Sequence, residues 1–480
     1  MKSKMIVIRV LIVCLIVFNL SAQTTFYKTY TGSLYDYAQG VVQLPDSSYA
    51  ITGSSAGFSG SAQAFLMVVD SLGNYNWSRS YGGSNSDWGR RIFHEDGTGF
   101  WIAGFSNSFS DGDFDFSLLH TDELGELLWQ RNYGTSDWER LWDAIRLDDG
   151  GFFLVGETEG VLSQHKDMFI VRTHSNGDTL FTKRIQTPGN DVAYAVHEWD
   201  NETVLIGGVL NDTAYVVSMD YNGDINWEWK FFTEGPAVVR AMDVFDQKIF
   251  LGGSVVRDDN DYTSGFLLRI NEAGTIESSY LTSYSADDYV SNILVLASDR
   301  VYWTSWSESP DQNVFPGGPD ALVIRFHQNL YYLGFSGSFS GVDPDEFHQV
   351  IPTHDGGFLM VGFASDDRQN SSPGADVMLV KIGPNDEKPG AVESGNNLVE
   401  LKELVFETKS SRIYPNPTNG VLFLSDELIN NDYEIFNLIG QKVKQGKISN
   451  EVNVYDLKSG VYMFVVHVDG VPIVQRFMKE

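Results

Sequence analysis

Asp70-Ser-Leu-Gly-Asn-Tyr-Asn-Trp77 decides the fold, because it is written again as Asp122-Glu-Leu-Gly-Glu-Leu-Leu-Trp129 and as Asp220-Tyr-Asn-Gly-Asp-Ile-Asn-Trp227. Aligned on their glycines, the copies fall at Gly73, Gly125, Gly177, Gly223 and Gly274, and the register then passes through Leu330, at intervals of 52, 52, 46, 51 and 56 residues. Such a period lies just above the ~40–50 residues of four-stranded repeat units and far above that of helical repeats. A second landmark, an Asp followed by small residues and a hydrophobic one, occurs at Asp46, Asp96, Asp149, Asp200, Asp246, Asp299 and Asp355. It reads as the hairpin between two alternating strands.

The period predicts an all-β chain, a seven-bladed β-propeller of four-stranded blades. Phe26-Tyr-Lys-Thr-Tyr30 has the pattern of a fourth strand, whereas the last unit stops after its third, at residues 377–382. The N-terminal strand is therefore expected to complete the last blade and leave no long exposed edge. Residues 1–23 read as a signal peptide: Lys2 and Lys4 precede the apolar stretch 11–20, and small residues follow at Ser21 and Ala22. The propeller is expected over 24–383, a linker over 384–410 and a small β-sandwich over 411–480.

Composition narrows the chemistry. The only cysteine, Cys14, lies in the leader, so a mature chain has no thiol for disulfides, zinc or nucleophilic catalysis. A formal charge of −31 argues against nucleic acid and anionic membrane surfaces as partners. No membrane span is expected in the mature chain.

The tail carries a resemblance. Ile413-Tyr414-Pro415-Asn416-Pro417-Thr-Asn-Gly420, then Tyr433 to Val443 with Gly440, Gly460-Val-Tyr462 and the terminal Lys479 follow one another in order. This region resembles the type A C-terminal sorting domain of the type IX secretion system. The resemblance implies a Bacteroidetes-type bacterium, export through the secretion machinery, removal of the domain by a sortase-like peptidase, and release or attachment at the cell surface. The repeats are also similar to those of secreted quinoprotein propellers and of Asp-box sialidases, but spacing and turn register differ, and no site residue carries over.

Searches for chemistry are less productive. Gly53-Ser-Ser55-Ala-Gly57 fits the string of a nucleophile elbow, but Ser55 ends a strand where other repeats place Gly104-Phe-Ser106 or Gly253-Ser254. No cofactor is expected; calcium at Asp111, Asp113 and Asp115 is the alternative left open, since alternate carboxylates gather hard cations. Asp115, however, has counterparts at Asp167, Asp320 and Asp376, which the repeat explains. Both short turns of each unit fall on one face, and the variable connections gather on the other, where a rigid scaffold presents recognition residues. Acidic-aromatic pairs recur there, ending in Tyr37, Trp88, Trp138, Tyr289 and Phe347. Candidate ligand-binding residues are Trp88, Arg90, Arg91, Trp138, Trp142 and Trp306. Aromatic faces beside polar groups suit sugar rings. Two functions remain open: a non-catalytic surface module binding a glycan or protein, and a secreted polysaccharide hydrolase or lyase with carboxylates on this face.

Overall fold

The computed structural model describes residues 25–397 save 32–34, 57–60, 111–112, 161–164, 232–234, 257–261, 283–286, 297–299, 308–319, 340–343, 367–373 and 391–392. It also describes 418–479 save 425–427, 430, 438–441, 450 and 469–470. The expected leader, Asp111, Tyr414 to Pro417 and Gly440 lie outside the described residues. The chain divides into two units, residues 1–401 and 402–480.

Among its described residues the first unit holds seven antiparallel sheets of four successive strands each, the last completed from elsewhere and extended by a fifth strand. Their first strands are Asp36–Gln43, Asp87–Glu95, Trp138–Arg146, Asp191–Asp200, Ala237–Phe245, Asp288–Leu296 and Asp345–Pro352. Each packs on its neighbour, and Asp36–Gln43 packs on Asp345–Pro352, so the series closes on itself. Seven separate clusters of buried side chains fill the seven interfaces. Ile92, Phe100 and Ile102 meet Leu66 and Tyr81 in one, while Leu359, Val361 and Val377 meet Val41, Ile51 and Phe65 in the cluster that closes the series. Middle strands such as Gln63–Val69 are buried along their whole length because a sheet covers each side. Outermost strands such as Ile225–Phe231 alternate exposed and half-buried residues, as one wet face requires.

Closure comes from the N-terminus. Phe26–Thr31 pairs antiparallel with Gly374–Ile382, Phe26 opposite Lys381 and Tyr30 opposite Val377. Gln349 and Gln43 then tie the last and first sheets together, accepting from Val41 N at 2.7 Å and His354 N at 2.8 Å. The expected linker holds ordered elements. Gly383 to Glu387 repeats the turn that follows every third strand, with Asp386 N donating to Gly383 O at 3.1 Å. Because Phe26–Thr31 already fills the fourth position, Glu393–Asn397 pairs parallel outside it.

The repeated turn proves to be an inter-sheet lock. Gly73, Gly125, Gly177, Gly223 and Gly274 adopt φ between 72° and 91°, and the carbonyls of the first three accept hydrogen bonds from Tyr30, Tyr81 and Tyr133 of the preceding sheet at 2.5–2.8 Å. A Cβ at Gly274 would lie 2.4 Å from Trp229 of the preceding sheet. Leu330 takes φ 62° at the equivalent place.

In the second unit, Val421–Phe423 pairs with Glu451–Asn453, and Lys442–Lys447, Asp432–Asn437, Gly460–Val468 and Val471–Lys479 form a four-stranded sheet in that order. Both contribute to one core that includes Leu422, Ile435, Val452, Phe464 and Phe477.

Deleting residues 24–31 would strip the last sheet of its fourth strand, and the melting temperature is expected to fall by more than about 5 °C, as the loss of several kcal/mol requires. An unchanged melting curve would contradict closure by the N-terminal strand.

Candidate functional site

Each first strand carries a residue that its neighbour cannot pair with. Between first and second strands the register skips Gln39, Arg90, Trp142, Tyr194, Arg240, Ser291 and His348, a β-bulge at the equivalent place in every sheet; the fourth sheet skips Trp199 as well. The bulge turns a carbonyl onto the second strand, which is why glycine stands there. A Cβ at Gly53, Gly104, Gly156, Gly208, Gly253 or Gly362 would lie within 1.7–2.0 Å of the carbonyl oxygen of Tyr37, Trp88, Arg140, Val192, Val238 or Glu346. Only the sixth sheet, with Ser305, departs from this pattern. The Gly53-Ser-Ser55 string is thus a product of the bulge, and Ser55 is a buried strand residue.

Three positions before each bulge in six of the sheets an acid opens the strand: Asp36, Asp87, Glu139, Asp191, Asp288 and Asp345, all at most 3% exposed. These acids are latches. Asp87 accepts from the hydroxyls of Ser106 and Ser108, Glu139 from Thr158 Oγ1 and Thr135 Oγ1, both at 2.7 Å, Asp191 from Thr187 Oγ1 at 2.8 Å, and Asp288 from Ser307 Oγ. Burial raises the Asp87 carboxyl and pushes Asp288 up to about 6. The recurring acids of this face therefore hold loops and strand ends together.

The bulged side chains meet around the axis of the series. Arg90 Nη1 donates to Gln39 Oε1 at 2.8 Å, and its guanidinium carbon lies 4.6 Å from the centre of the Trp142 ring. Trp142 packs on Tyr194 at 5.1 Å between centroids, and Arg240 lies 4.9 Å from Tyr194 and 5.7 Å from Tyr289. Asn292 Nδ2 reaches the His348 carbonyl at 3.4 Å, and His348 Nδ1 shares a hydrogen bond of 2.7 Å with the Ala38 carbonyl. These contacts run from each sheet to the next and return to the first. Just beside them, Tyr37 stacks on Trp88 and Trp88 on Phe105, Arg140 lies 4.3 Å from Trp142, and Tyr289 packs on Trp306 at 5.2 Å.

Of the expected ligand residues, the structure brings Arg90 and Trp142 into this circuit, with Trp88 and Trp306 at its edge. Arg91 lies against it, its Nη1 donating to the Gln39 and Arg90 carbonyls at 3.2 and 3.1 Å, and Trp138 stands apart. Arg91, the residue after a bulge, points to the next sheet, its Nε 2.6 Å from Asp143; Asp143, Asn292 and Gln349 reach forward in the same way. Trp138 packs edge-on against Phe114 beyond the start of the third sheet. Arg140, Tyr194, Arg240 and His348 were not among the expected residues. The offset of three from the latch acid finds Tyr194 and His348; Arg140 directly follows its latch Glu139, and Arg240 lies in the sheet whose latch position is Ala237, so that offset marks neither. Alignment on acidic-aromatic pairs places Asp137-Trp138 two residues and Glu346-Phe347 one residue out of register. Asp113 is exposed and Asp115 buried at the start of a third strand, and no metal-binding cluster of acids or histidines occurs among the described residues. A separate cavity of about 590 Å³ opens at the opposite face beside His94, Glu95, Arg146 and Asp149.

The raised Asp288 pKa carries a sign. A carboxyl whose folded pKa exceeds its unfolded value of 3.8 destabilises the fold as it ionises, between about pH 4 and 6. Asp288→Asn should therefore gain melting temperature relative to the parent as pH rises from 4 to 7. A difference independent of pH would contradict this.

The chain is similar in structure to the Pan2 WD40 domain of Neurospora crassa, at 11% identity and a TM-score of 0.43, covering 75% of this chain and 100% of that one. It is also similar to the β-propeller domain of the Trilobed protease of Pyrococcus furiosus, at 9% identity and 0.41, covering 78% and 98%. A third likeness, at 12% identity and 0.42, is to an extracellular domain assigned to a one-component system of B. thetaiotaomicron; it covers 94% of this chain, which spans 58% of that one. No curated protein matches the sequence, and no helix among the described residues is long and apolar enough to cross a membrane. Residues 412–480 match the family described as the secretion system C-terminal sorting domain. Within it, Gly420 lies so close to the Tyr455 ring that a Cβ would meet it at 2.1 Å, and Tyr462 stacks on Phe477 and donates to the Lys458 carbonyl. The tail marks the chain for export by the type IX secretion system, to the cell surface or the medium. Removal of residues 411–480 is expected to retain the chain in the periplasm; export at the full-length level would contradict the sorting role.

Proposed function

We propose that the protein is a non-catalytic binding module, a seven-bladed β-propeller closed by its N-terminal strand and displayed or released outside the cell, with its ligand seated over the circuit of bulged side chains. The second unit would be the compact sandwich that the export machinery and its sortase recognise. The observation that carries this reading is the circuit itself. Gln39, Arg90, Trp142, Tyr194, Arg240 and His348 interlock across the centre of the face that bears the variable connections.

The carboxylates near the circuit support binding over catalysis because basic groups or latch hydroxyls hold them. Glu157 is fully buried with Lys166 Nζ at 3.1 Å. Burial raises the Glu346 carboxyl, but His348, Arg240 and Arg90 outweigh it and hold the group below the usual range. A general acid of a glycosidase needs a raised pKa instead. The raised latch carboxyls, Asp87 and Asp288, are at most 3% exposed and held by the hydroxyls of Ser106 and Ser307. Ring faces at Trp88, Trp142, Tyr289 and Trp306 suit a sugar ring.

A glycan array probed with the mature chain and with Trp142→Ala tests this. The parent is expected to bind at least one glycan without shortening it, and the variant to bind at least about tenfold more weakly, since a central aromatic anchor is worth about 2 kcal/mol or more. Shortened products would establish the hydrolase or lyase, and unchanged binding by the variant would move the site elsewhere.

A further inference from the structure

The arginines of this chain are divided by their partners. In a protein with 33 basic and 64 acidic residues, a base that needs a carboxylate finds one. Arg79, Arg91, Arg131, Arg146, Arg172, Arg184, Arg269 and Arg325 each lie within 4 Å of a carboxylate. Among the described residues, Arg90, Arg140, Arg240 and Arg300 have no such ion pair. Arg300 donates to the Tyr302 hydroxyl and the Pro384 carbonyl, and the other three follow one another along the ring-lined circuit of one face. Arg90 and Arg140 approach the same two rings, at 4.6 and 4.3 Å from Trp142 and 5.7 and 5.6 Å from Phe105. Arg240 follows on Tyr194 at 4.9 Å.

Their hydrogen-bonding capacity is also unspent. Arg90 is only 9% exposed, yet its Nε has no partner, and neither do Arg140 Nε, Arg240 Nε and Trp142 Nε1, all buried. A buried donor without an acceptor costs about 1–3 kcal/mol, more when charged. Arg146, Arg172, Arg269 and Arg325 also bury an Nε without a partner, but each of them has a carboxylate. The donors of Arg90, Arg140, Trp142 and Arg240, on the second, third and fifth sheets, have no carboxylate within 4 Å and describe a site open to an acceptor. Burial, then the neighbouring Arg140 and Arg91, push the Arg90 guanidinium down to about 9 against the opposing pull of Glu346 and Glu157. Those two carboxylates lie beyond 4 Å of the three arginines: Glu157 pairs with Lys166 through Oε1, and Glu346 lies 3.6 Å from His348.

We propose that Arg90, Arg140 and Arg240 form an anion site that receives the carboxylate of an acidic sugar, with the rings beside it stacking on the pyranose. This rests on the binding reading above and specifies its ligand. Planar guanidinium forks match a carboxylate in both geometry and charge. An acidic glycan is favoured over an acidic peptide because the flanking surfaces are aromatic faces, Tyr37 on Trp88 and Tyr289 on Trp306, which stack on sugar rings.

The test titrates the mature full-length chain with oligomers of galacturonate, mannuronate and glucuronate, with the same oligomers after reduction of each carboxylate to an alcohol, and with polyglutamate. At least one uronate oligomer is expected to bind at least about tenfold more tightly than its reduced counterpart. Arg140→Gln and Arg240→Gln should each weaken the uronate about tenfold and the reduced oligomer much less, about threefold or under, with Arg240→Lys intermediate for the uronate and melting temperatures near that of the parent. Equal affinity for acidic and reduced oligomers would overturn the carboxylate assignment while leaving the binding module intact. Preference for polyglutamate, or failure of all uronates to bind, would overturn the acidic sugar. Cleavage of any oligomer would overturn the binding-only reading itself.

Discussion

In each first strand, a residue has no partner across the sheet. An antiparallel ladder cannot absorb an odd residue without displacing a side chain and bending the strand. Gln39, Arg90, Trp142, Tyr194 and Arg240, so displaced, meet their counterparts on neighbouring sheets, whereas Ser291 meets Thr304 of its own sheet. The rest of the face follows from this. The bulge presses a carbonyl against the second strand and excludes a Cβ there, so glycine recurs at Gly53, Gly104, Gly156, Gly208, Gly253 and Gly362. The next residue is thrown toward the neighbouring sheet, where Arg91, Asp143, Asn292 and Gln349 make bridges. Backbone geometry is thus repeated, while the ejected side chain is free to differ.

That freedom separates scaffold from site. Turn glycines, latch acids and outer tyrosines do the same work in sheet after sheet. The ejected residues are Gln, Arg, Trp, Tyr, Arg, Ser and His, none of them aliphatic. In a chain this acidic, Arg90, Arg140 and Arg240 gather three cations near one circuit, with Glu157 and Glu346 as the carboxylates that act on them. Such a centre can hold an anion that the rest of the surface would repel.

Much of the architecture was legible in the sequence because turns and hairpins demand particular residues. A left-handed turn position wants glycine, so Gly73 and its equivalents announced the period, and the unpaired pattern of Phe26 to Tyr30 announced the closing strand. Leu330 shows the limit of that reasoning, holding the same turn with a residue that pays about 1–2 kcal/mol for it. The bulges were not legible, since no residue type is required at the ejected position. Grouping Asp137 with Trp138 and Glu346 with Phe347 hid the register that unites Arg90, Trp142, Tyr194 and Arg240. The turn at Gly383 to Glu387 spans the expected boundary between propeller and linker, and Tyr302 donates to Asp386 Oδ1 at 2.6 Å and Arg300 to the Pro384 carbonyl at 2.6 Å.

The most direct measurement of the central claim is hydrogen–deuterium exchange and side-chain footprinting of the mature protein with and without the uronate oligomer it binds best. Protection confined to residues 88–91, 138–142, 192–195 and 238–241 is the predicted result. Protection centred on the repeated turns at 70–77, 122–129 and 220–227 instead would contradict the account, because it would place recognition on the scaffold and not on the residues the bulges eject.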